Sequence, residues 1–216
     1  MKQTVERQRT TGTSGSVLHA AVGYDWLVWF SMFGRERIFR EKVLGLARLE
    51  LGESVLDVGC GTGTLAIAAK RHVGPSGSVY GIDASPEMIA RASRKARKAG
   101  IEVLFKNAVA ESLPFPNSYF DAVLTTLMLH HLPRKARQQC AREIRRVLKP
   151  CGRVLAVDFA SGARERRSLV GHFHRHGHVD IDEIIAVLGE ADLRTVEAVG
   201  ISDLQFAVAA LSSSAS

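Results

Sequence analysis

Val55-Leu56-Asp57-Val58-Gly59-Cys60-Gly61-Thr62-Gly63 is the stretch from which the rest of the chain can be read. Ser54 to Val58 has the short apolar character of a buried strand, and it runs without a linker into three glycines at alternate positions. A helical pattern, Leu65 to His72, follows. Glycine lets the backbone turn sharply and lets a ligand approach it closely. In an open parallel sheet the ligand lies at the carboxyl ends of the strands, so a strand–glycine loop–helix unit is a cofactor cradle by position as well as by composition.

The residues around the glycines narrow the ligand. A triphosphate loop needs Gly-Lys-Ser/Thr at the helix start, and here Gly63-Thr64-Leu65 stands. A dinucleotide loop prefers GxGxxG, whereas these glycines, at 59, 61 and 63, are spaced GxGxG. Asp57 would repel a pyrophosphate and suits a ligand with an ammonium group. Asp83, which ends the next strand, can accept both hydroxyl hydrogen bonds of an adenosine ribose. Nicotinamide and adenosylmethionine sites share that feature, so Asp83 alone does not decide between them.

Outward from the loop, strand and helix patterns alternate. Strands are expected at 78–83, 102–106, 121–126 and 153–159, and helices at 86–99 and 134–148, the first with Pro86 in its opening turn and Gly100 at its stop. Such alternation gives parallel strands with helices on both faces. A helix capped by Asp180 or Asp182 reaches Ala191. Two late strands, 194–199 and 204–211, have no helix between them and must pair antiparallel at one edge. Ahead of the loop, residues 1–16 are polar and read as a disordered arm, and 17–49 as an N-terminal helical cap of two helices divided at Gly34. The domain proper is expected over 50–212. No internal repeat is visible.

The chain has 216 residues, about one domain at roughly 150 residues each. With 46% hydrophobic and 24% charged residues it is neither a collagen-like chain nor a wholly disordered one. Three cysteines, Cys60, Cys140 and Cys151, make no CxxC pair, which argues against a disulfide framework or a zinc site and suits a reducing compartment. No signal-peptide pattern opens the chain and no apolar run reaches the length of a membrane span, so a cytoplasmic protein is expected. The net charge of +7 attracts anionic partners, and allows peripheral contact with an anionic membrane surface. The oligomeric state is not legible.

The quoted stretch closely resembles the first motif of the class I S-adenosylmethionine-dependent methyltransferases, and the resemblance continues in order. Gly81-Ile82-Asp83-Ala84-Ser85-Pro86-Glu87-Met88 resembles the acidic-loop motif, Ala110-Glu111-Ser112-Leu113-Pro114-Phe115 the adenine-side loop, Phe120-Asp121-Ala122-Val123 through Leu129-His130-His131-Leu132 the fourth-strand motif, and Leu148-Lys149-Pro150-Cys151-Gly152-Arg153-Val154 the entry to the fifth strand. The match spans residues 53–159. In pattern it is similar to the ubiquinone/menaquinone C-methyltransferases and the bacterial phospholipid N-methyltransferases. It implies an α/β, Rossmann-like fold: a seven-stranded, mostly parallel sheet of order 3-2-1-4-5-7-6 with an antiparallel edge strand, helices on both faces and the helical cap. It implies S-adenosyl-L-methionine as cofactor, S-adenosyl-L-homocysteine as product, and a small-molecule or amphipathic methyl acceptor. Two departures stand out. Val109 replaces the Asp that usually precedes Ala-Glu in the adenine-side loop, and Cys151 replaces the first glycine of Pro-Gly-Gly.

Carried over residue by residue, the resemblance places Tyr24, Asp57, Gly59, Cys60, Gly61, Gly63, Asp83, Ala84, Met88, Val109, Ala110, Glu111, Thr125 and Thr126 at the cofactor, Thr125 and Thr126 at its methionine end. His130 and His131 lie beside the expected methyl position as candidate catalytic residues that orient or deprotonate the nucleophile. His172, His174, His176 and His178 stand at alternate positions from 172 to 178; Gly171 and Gly177 favour a loop over a metal site, and no metal is expected. Residues 17–33 and 171–178 are expected to close over the acceptor. The chain lacks the Pro-Pro-aromatic element of amino-methylating nucleic-acid enzymes and the Pro-Cys or Thr-Cys of cytosine C5 methylation, so nucleic acid is not the expected substrate. An adenosylmethionine-binding regulatory or assembly protein without turnover, and a nicotinamide-dependent oxidoreductase, remain alternatives.

Overall fold

The computed structural model describes residues 36–159, 180–201 and 204–211. The expected disordered arm, most of the helical cap including Tyr24, and the histidine-rich segment 171–178 lie outside them. Helix α1 is Glu36–Ala47. Then come β1 Ser54–Val58, α2 Thr64–Val73, β2 Ser78–Asp83, α3 Pro86–Lys98, β3 Leu104–Asn107 and β4 Phe120–Thr126. A 3-10 turn, Leu129–His131, leads to α4 Arg134–Val147, followed by β5 Leu148–Phe159, α5 Ile181–Gly189, β6 Leu193–Ile201 and β7 Leu204–Leu211.

The strands form one sheet of order β3-β2-β1-β4-β5-β7-β6. β1 lies parallel between β2 and β4, with Val58 in register with Ile82 on one side and Thr125 on the other. β3 and β5 extend the parallel set, and β7 runs antiparallel between β5 and β6. Four of the five β1 residues are buried, as a central strand covered on both faces requires. Alternation then divides the core. Leu56, Val58, Val123 and Val154 pack with Ile144 of α4 and Ile184 of α5, while Val55, Leu124 and Leu155 pack with Val43 of α1 and Ala66 of α2 on the other face. The expected α/β, Rossmann-like class therefore holds.

The helices follow their sequence signals. Pro86 takes the first position of α3, the Ser85 hydroxyl accepts the Met88 N–H, and Met88, Ala92 and Ala96 form the buried stripe. α1 stops at Ala47, two residues before the expected Leu49, because Arg48 turns left-handed (φ 48°). Arg153 fastens that end: its Nε donates to the Ala47 carbonyl at 2.7 Å while its Nη1 pairs with Glu53 at 2.7 Å. β5 starts at Leu148, earlier than the expected Arg153, with a register shift between Phe120 and Ala122 of its partner. Cys151 sits in this irregular part at φ 64°, a conformation that costs a non-glycine residue about 1–2 kcal/mol and explains why a glycine is usual there.

Candidate active site at the carboxyl edge of the sheet

The cradle is built from backbone amides. Gly59 and Cys60 donate their N–H groups to the Ile82 carbonyl at 2.9 and 2.8 Å, stapling the loop after β1 to the end of β2. The Asp83 carboxylate accepts the Gly61 N–H on one oxygen and the Ser85 N–H on the other, each at 2.9 Å. The Asp83 carbonyl accepts from the Asn107 side chain at 2.8 Å and from the Ala108 N–H at 3.1 Å. One residue thus braces the loops after β1, β2 and β3. Gly59 and Gly63 adopt φ of 75° and 73°. Their closeness answers to protein neighbours: a Cβ on Gly59 would lie 2.4 Å from the Met128 Cγ, and one on Gly63 would lie 2.6 Å from the Phe105 ring.

The electrostatics of the cradle are unbalanced. Asp57 is 1% exposed, and among the described residues neither carboxylate oxygen meets a hydrogen-bond partner in bonding geometry. Its pKa is pushed up to about 7, chiefly by burial and then by the charge of Asp83, with the Ala66 amide drawing it back slightly. Asp83 is also raised, mainly by burial, against the pull of the Ser85 and Gly61 amides. Burial, with Asp57 and Asp83 adding to it, drives the Cys60 thiol far above its usual range, so Cys60 is an inert filler of the loop. A buried carboxylate without a partner calls for a cation. The residues present therefore fit S-adenosylmethionine: Asp57 for an ammonium group, and Asp83, anchored by its two amides, with lone pairs left for a vicinal diol.

The expected adenine side is held from beneath. Glu143 of α4 accepts the Leu113 N–H at 2.8 Å, and Arg146 donates to the Leu113 and Phe115 carbonyls at 2.9 and 2.8 Å. Arg146 and the Leu113 amide hold the Glu143 carboxyl below its ordinary range. Ala110 is buried, Val109 and Glu111 are half-buried, Met88 is buried and Ala84 is exposed.

Beyond β4 the chain reverses at Leu127, which is left-handed (φ 53°) and donates its N–H to the Val157 carbonyl at 2.8 Å. Met128 then packs on Gly59, so the histidine turn abuts the glycine loop directly. His130 is held by Asp158 at the carboxyl end of β5: its backbone N–H reaches one carboxylate oxygen at 3.1 Å and its Nδ1 lies 2.7 Å from the other. Asp158 is buried, and the His130 side chain is 14% exposed. The exposed His131 ring lies 3.9 Å from that of His130, centroid to centroid. Arg137 of α4, also buried, donates to the Leu132 carbonyl at 2.8 Å and pairs with Glu183 of α5 at 2.6 Å, bracing the turn from below.

Thr125 and Thr126 are consecutive in β4 and point to opposite faces of the sheet. The buried Thr125 side chain lines a small void with Leu129, Arg137, Cys140 and Ile184 under α4 and α5, and only Thr126 faces the other way. Sequence reasoning missed Asp158, Met128 and Arg137. Asp158 carried a readable signal, an acid closing the apolar run Val154–Val157 as Asp83 closes β2; the other two carried none. Among the described residues no cluster of His, Cys, Asp and Glu could hold a metal ion, and no helix is long and apolar enough to cross a membrane.

Residues 55–152 match the family described as a methyltransferase domain. Over 161 residues the chain is 34% identical to the ubiquinone/menaquinone biosynthesis C-methyltransferase UbiE of Yersinia enterocolitica. That match covers 73% of this chain and 63% of the enzyme, so the chain spans under two thirds of the length of this relative. The crystal structure of a SAM-dependent methyltransferase from Aquifex aeolicus is similar at a TM-score of 0.64 and 26% identity, covering 80% of this chain and 89% of that one. The YcgJ protein from Bacillus subtilis is similar at a TM-score of 0.59 and 31% identity, covering 74% and 73%.

Proposed function

The chain belongs, through residues 55–152, to the class I S-adenosylmethionine-dependent methyltransferases, and from that premise we propose that it transfers the sulfonium methyl group to a small or amphipathic acceptor in the cytoplasm. The observation that carries this reading is the buried carboxylate of Asp57, without a hydrogen-bond partner in bonding geometry among the described residues, beside the amide-anchored Asp83. In this reading Asp57 balances the ammonium group, Asp83 takes the ribose hydroxyls, the backbone at Val109 and Ala110 borders the adenine, and the histidine turn faces the acceptor.

The cosubstrate, when bound, supplies a methyl group that its sulfonium already makes electrophilic. The protein's task is then to align the acceptor with it and to keep water away. A quinone-type ring is the favoured acceptor class, because the curated relative is a ubiquinone/menaquinone C-methyltransferase. A lipid headgroup is the second. The exposed cations of α3, Arg91, Arg94, Arg97 and Lys98, suit contact with an anionic membrane surface from which either would be drawn.

The test is incubation with methyl-labelled S-adenosylmethionine and, separately, lipid and polar metabolite extracts. Labelled product with release of S-adenosylhomocysteine is expected. Absence of S-adenosylmethionine binding by calorimetry would overturn the reading; binding without turnover in any fraction would favour the non-catalytic alternative.

A further inference from the structure

We propose that Lys95 is a positioning residue for the cosubstrate. It ties the carboxyl half of the glycine loop to α3, and so fixes the separation between the two sides of the cradle that the amino-acid half and the nucleoside half of S-adenosylmethionine must bridge. This rests on the reading of the chain as a methyltransferase and deepens it.

The loop is held in two halves by different means. Its first half is stapled to β2, where Gly59 and Cys60 donate to the Ile82 carbonyl and Gly61 to the Asp83 carboxylate. Its second half is tied to α3. The Lys95 Nζ donates to the Thr62 hydroxyl at 2.9 Å and to the Thr64 hydroxyl at 2.6 Å, gripping the loop on either side of Gly63. The two hydroxyl oxygens lie 3.4 Å apart, and Thr62 is buried. Gly63 between them is left-handed, at φ 73°, and glycine is the residue whose backbone moves most freely among such conformations. A tie on both flanking residues restrains the loop at its most pliable position.

Packing sets the opposite limit. Lys95 lies one turn on from Ala92, on the same face of α3. A Cβ on Gly63 would come within 2.9 Å of the Ala92 Cβ and 2.6 Å of the Phe105 ring, so the loop already rests on α3 and β3. Ala92 and Phe105 stop it from moving inward, and the ammonium group stops it from moving outward. The two elements so joined are the two sides of the cradle. The loop leads from Asp57, the counter-ion of the amino-acid half, while α3 follows Asp83 and Ala84 and carries Met88 on the nucleoside side.

Helix stability is a weak reason for a cation at this point. Thr64 is the first residue of α2, and Gly63 before it offers no side-chain cap. A helix N-terminus carries partial positive charge, so an ammonium group beside it has the wrong sign for the helix. The charge of Lys95 opposes α2 while its hydrogen bonds order the loop, the balance expected of a residue placed for ligand geometry.

The experiment is calorimetry on Lys95→Met with two probes: S-adenosylhomocysteine, which spans both sides of the cradle, and methylthioadenosine, which lacks the amino-acid half. Affinity for S-adenosylhomocysteine should fall by about tenfold, roughly one hydrogen bond to a charged group, while affinity for methylthioadenosine should change by less than about twofold. Lys95→Arg, whose guanidinium presents donors to both hydroxyls, should recover most of the loss. Thr64→Ala loosens the tie from the loop side and should show the same split between probes. Adding Lys95→Met to it should cost less than in the wild type, because the two act through one contact. Equal losses for both probes, no loss for either, or full additivity of the two substitutions overturns the proposal. Wild-type binding of S-adenosylhomocysteine without methylthioadenosine also overturns it, because the nucleoside side would then not stand alone. Melting of free Lys95→Met should stay within about 4 °C of wild type, and a larger fall marks the tie as a structural brace and overturns the positioning role. A wild type that does not bind S-adenosylhomocysteine overturns the methyltransferase reading instead. If Lys95→Met does not fold, Thr64→Ala with the same two probes decides.

Discussion

Replacing Asp57 by Asn should make the free protein more stable and unable to hold its cosubstrate, with a pH dependence fixed by the buried carboxyl. Asp57 is raised from its usual 3.8 to about 7 by burial and by Asp83. At 1.36 kcal/mol per tenfold change in proton affinity, that corresponds to a cost of about 4 kcal/mol for ionising it inside the fold. The sign follows from linkage. Below pH 4 the group is protonated in both folded and unfolded chains, and the cost is absent. Between about 4 and 7 the unfolded chain ionises while the folded one keeps its proton, so stability falls as pH rises. Above 7 the full cost stands.

Asn has the same shape and no charge. Asp57→Asn should therefore melt close to wild type at pH 4, and about 8–16 °C higher at pH 8, at roughly 2–4 °C per kcal/mol for a domain of this size. An ammonium group reverses the balance by favouring the carboxylate. Wild-type affinity for S-adenosylmethionine should thus tighten up to about tenfold per pH unit below 7 and level off above it, while the variant binds weakly at every pH. Differential scanning fluorimetry from pH 4 to 8, with calorimetry at each point, makes both measurements. A melting difference that does not change with pH, or wild-type affinity in the variant, would refute the assignment of Asp57 as a waiting counter-ion.

Three further outcomes follow from the same geometry. Asp83→Ala removes the acceptor of the Gly61 and Ser85 amides as well as that of the ribose, so calorimetry should show at least a tenfold loss of cosubstrate affinity, about 1.5–3 kcal/mol. Gly59→Ala puts a methyl 2.4 Å from Met128 at a φ of 75° and should cost about 1–3 kcal/mol in backbone strain alone by chemical denaturation; adding Met128→Ala should recover the clash but not the strain. Arg153→Ala unfastens the end of α1 from Glu53 and from the Ala47 carbonyl and should cost about 2 kcal/mol, whereas a loss below about 0.5 kcal/mol would mean the clasp is ornamental.

The α/β class was legible because its signals are local. The apolar run ending in Asp57-Val58-Gly59, the Ser85-Pro86 helix start and the Gly100 stop each act within a few residues, and the elements formed where those signals stand. Element ends moved where backbone conformation overrode composition, as at Arg48 and Cys151, whose positive φ values no side-chain pattern announces. Two of the glycines also meet protein neighbours, Gly59 the Met128 side chain and Gly63 the Phe105 ring, contacts between positions 69 and 42 apart that periodicity does not encode.

The candidate site divides along the same line. Asp57 and Asp83 announce themselves as acids in or beside glycine-rich turns, but the burial of one and the double anchoring of the other are tertiary facts. Asp158 is the instructive case. Its position repeats that of Asp83, an acid closing a buried parallel strand, and the physical reason is common to both. A carboxylate near the end of such a strand sits where the chain leaves the sheet, and there it can accept from the loop that follows a neighbouring strand. Asp83 does this for the glycine loop and Asp158 for the histidine turn, 28 residues upstream of it. The two loops are themselves in contact through Gly59 and Met128. The glycine loop and the histidine turn are therefore one packed unit, and a substitution at Gly59 should disturb the His130 ring as well as cosubstrate affinity.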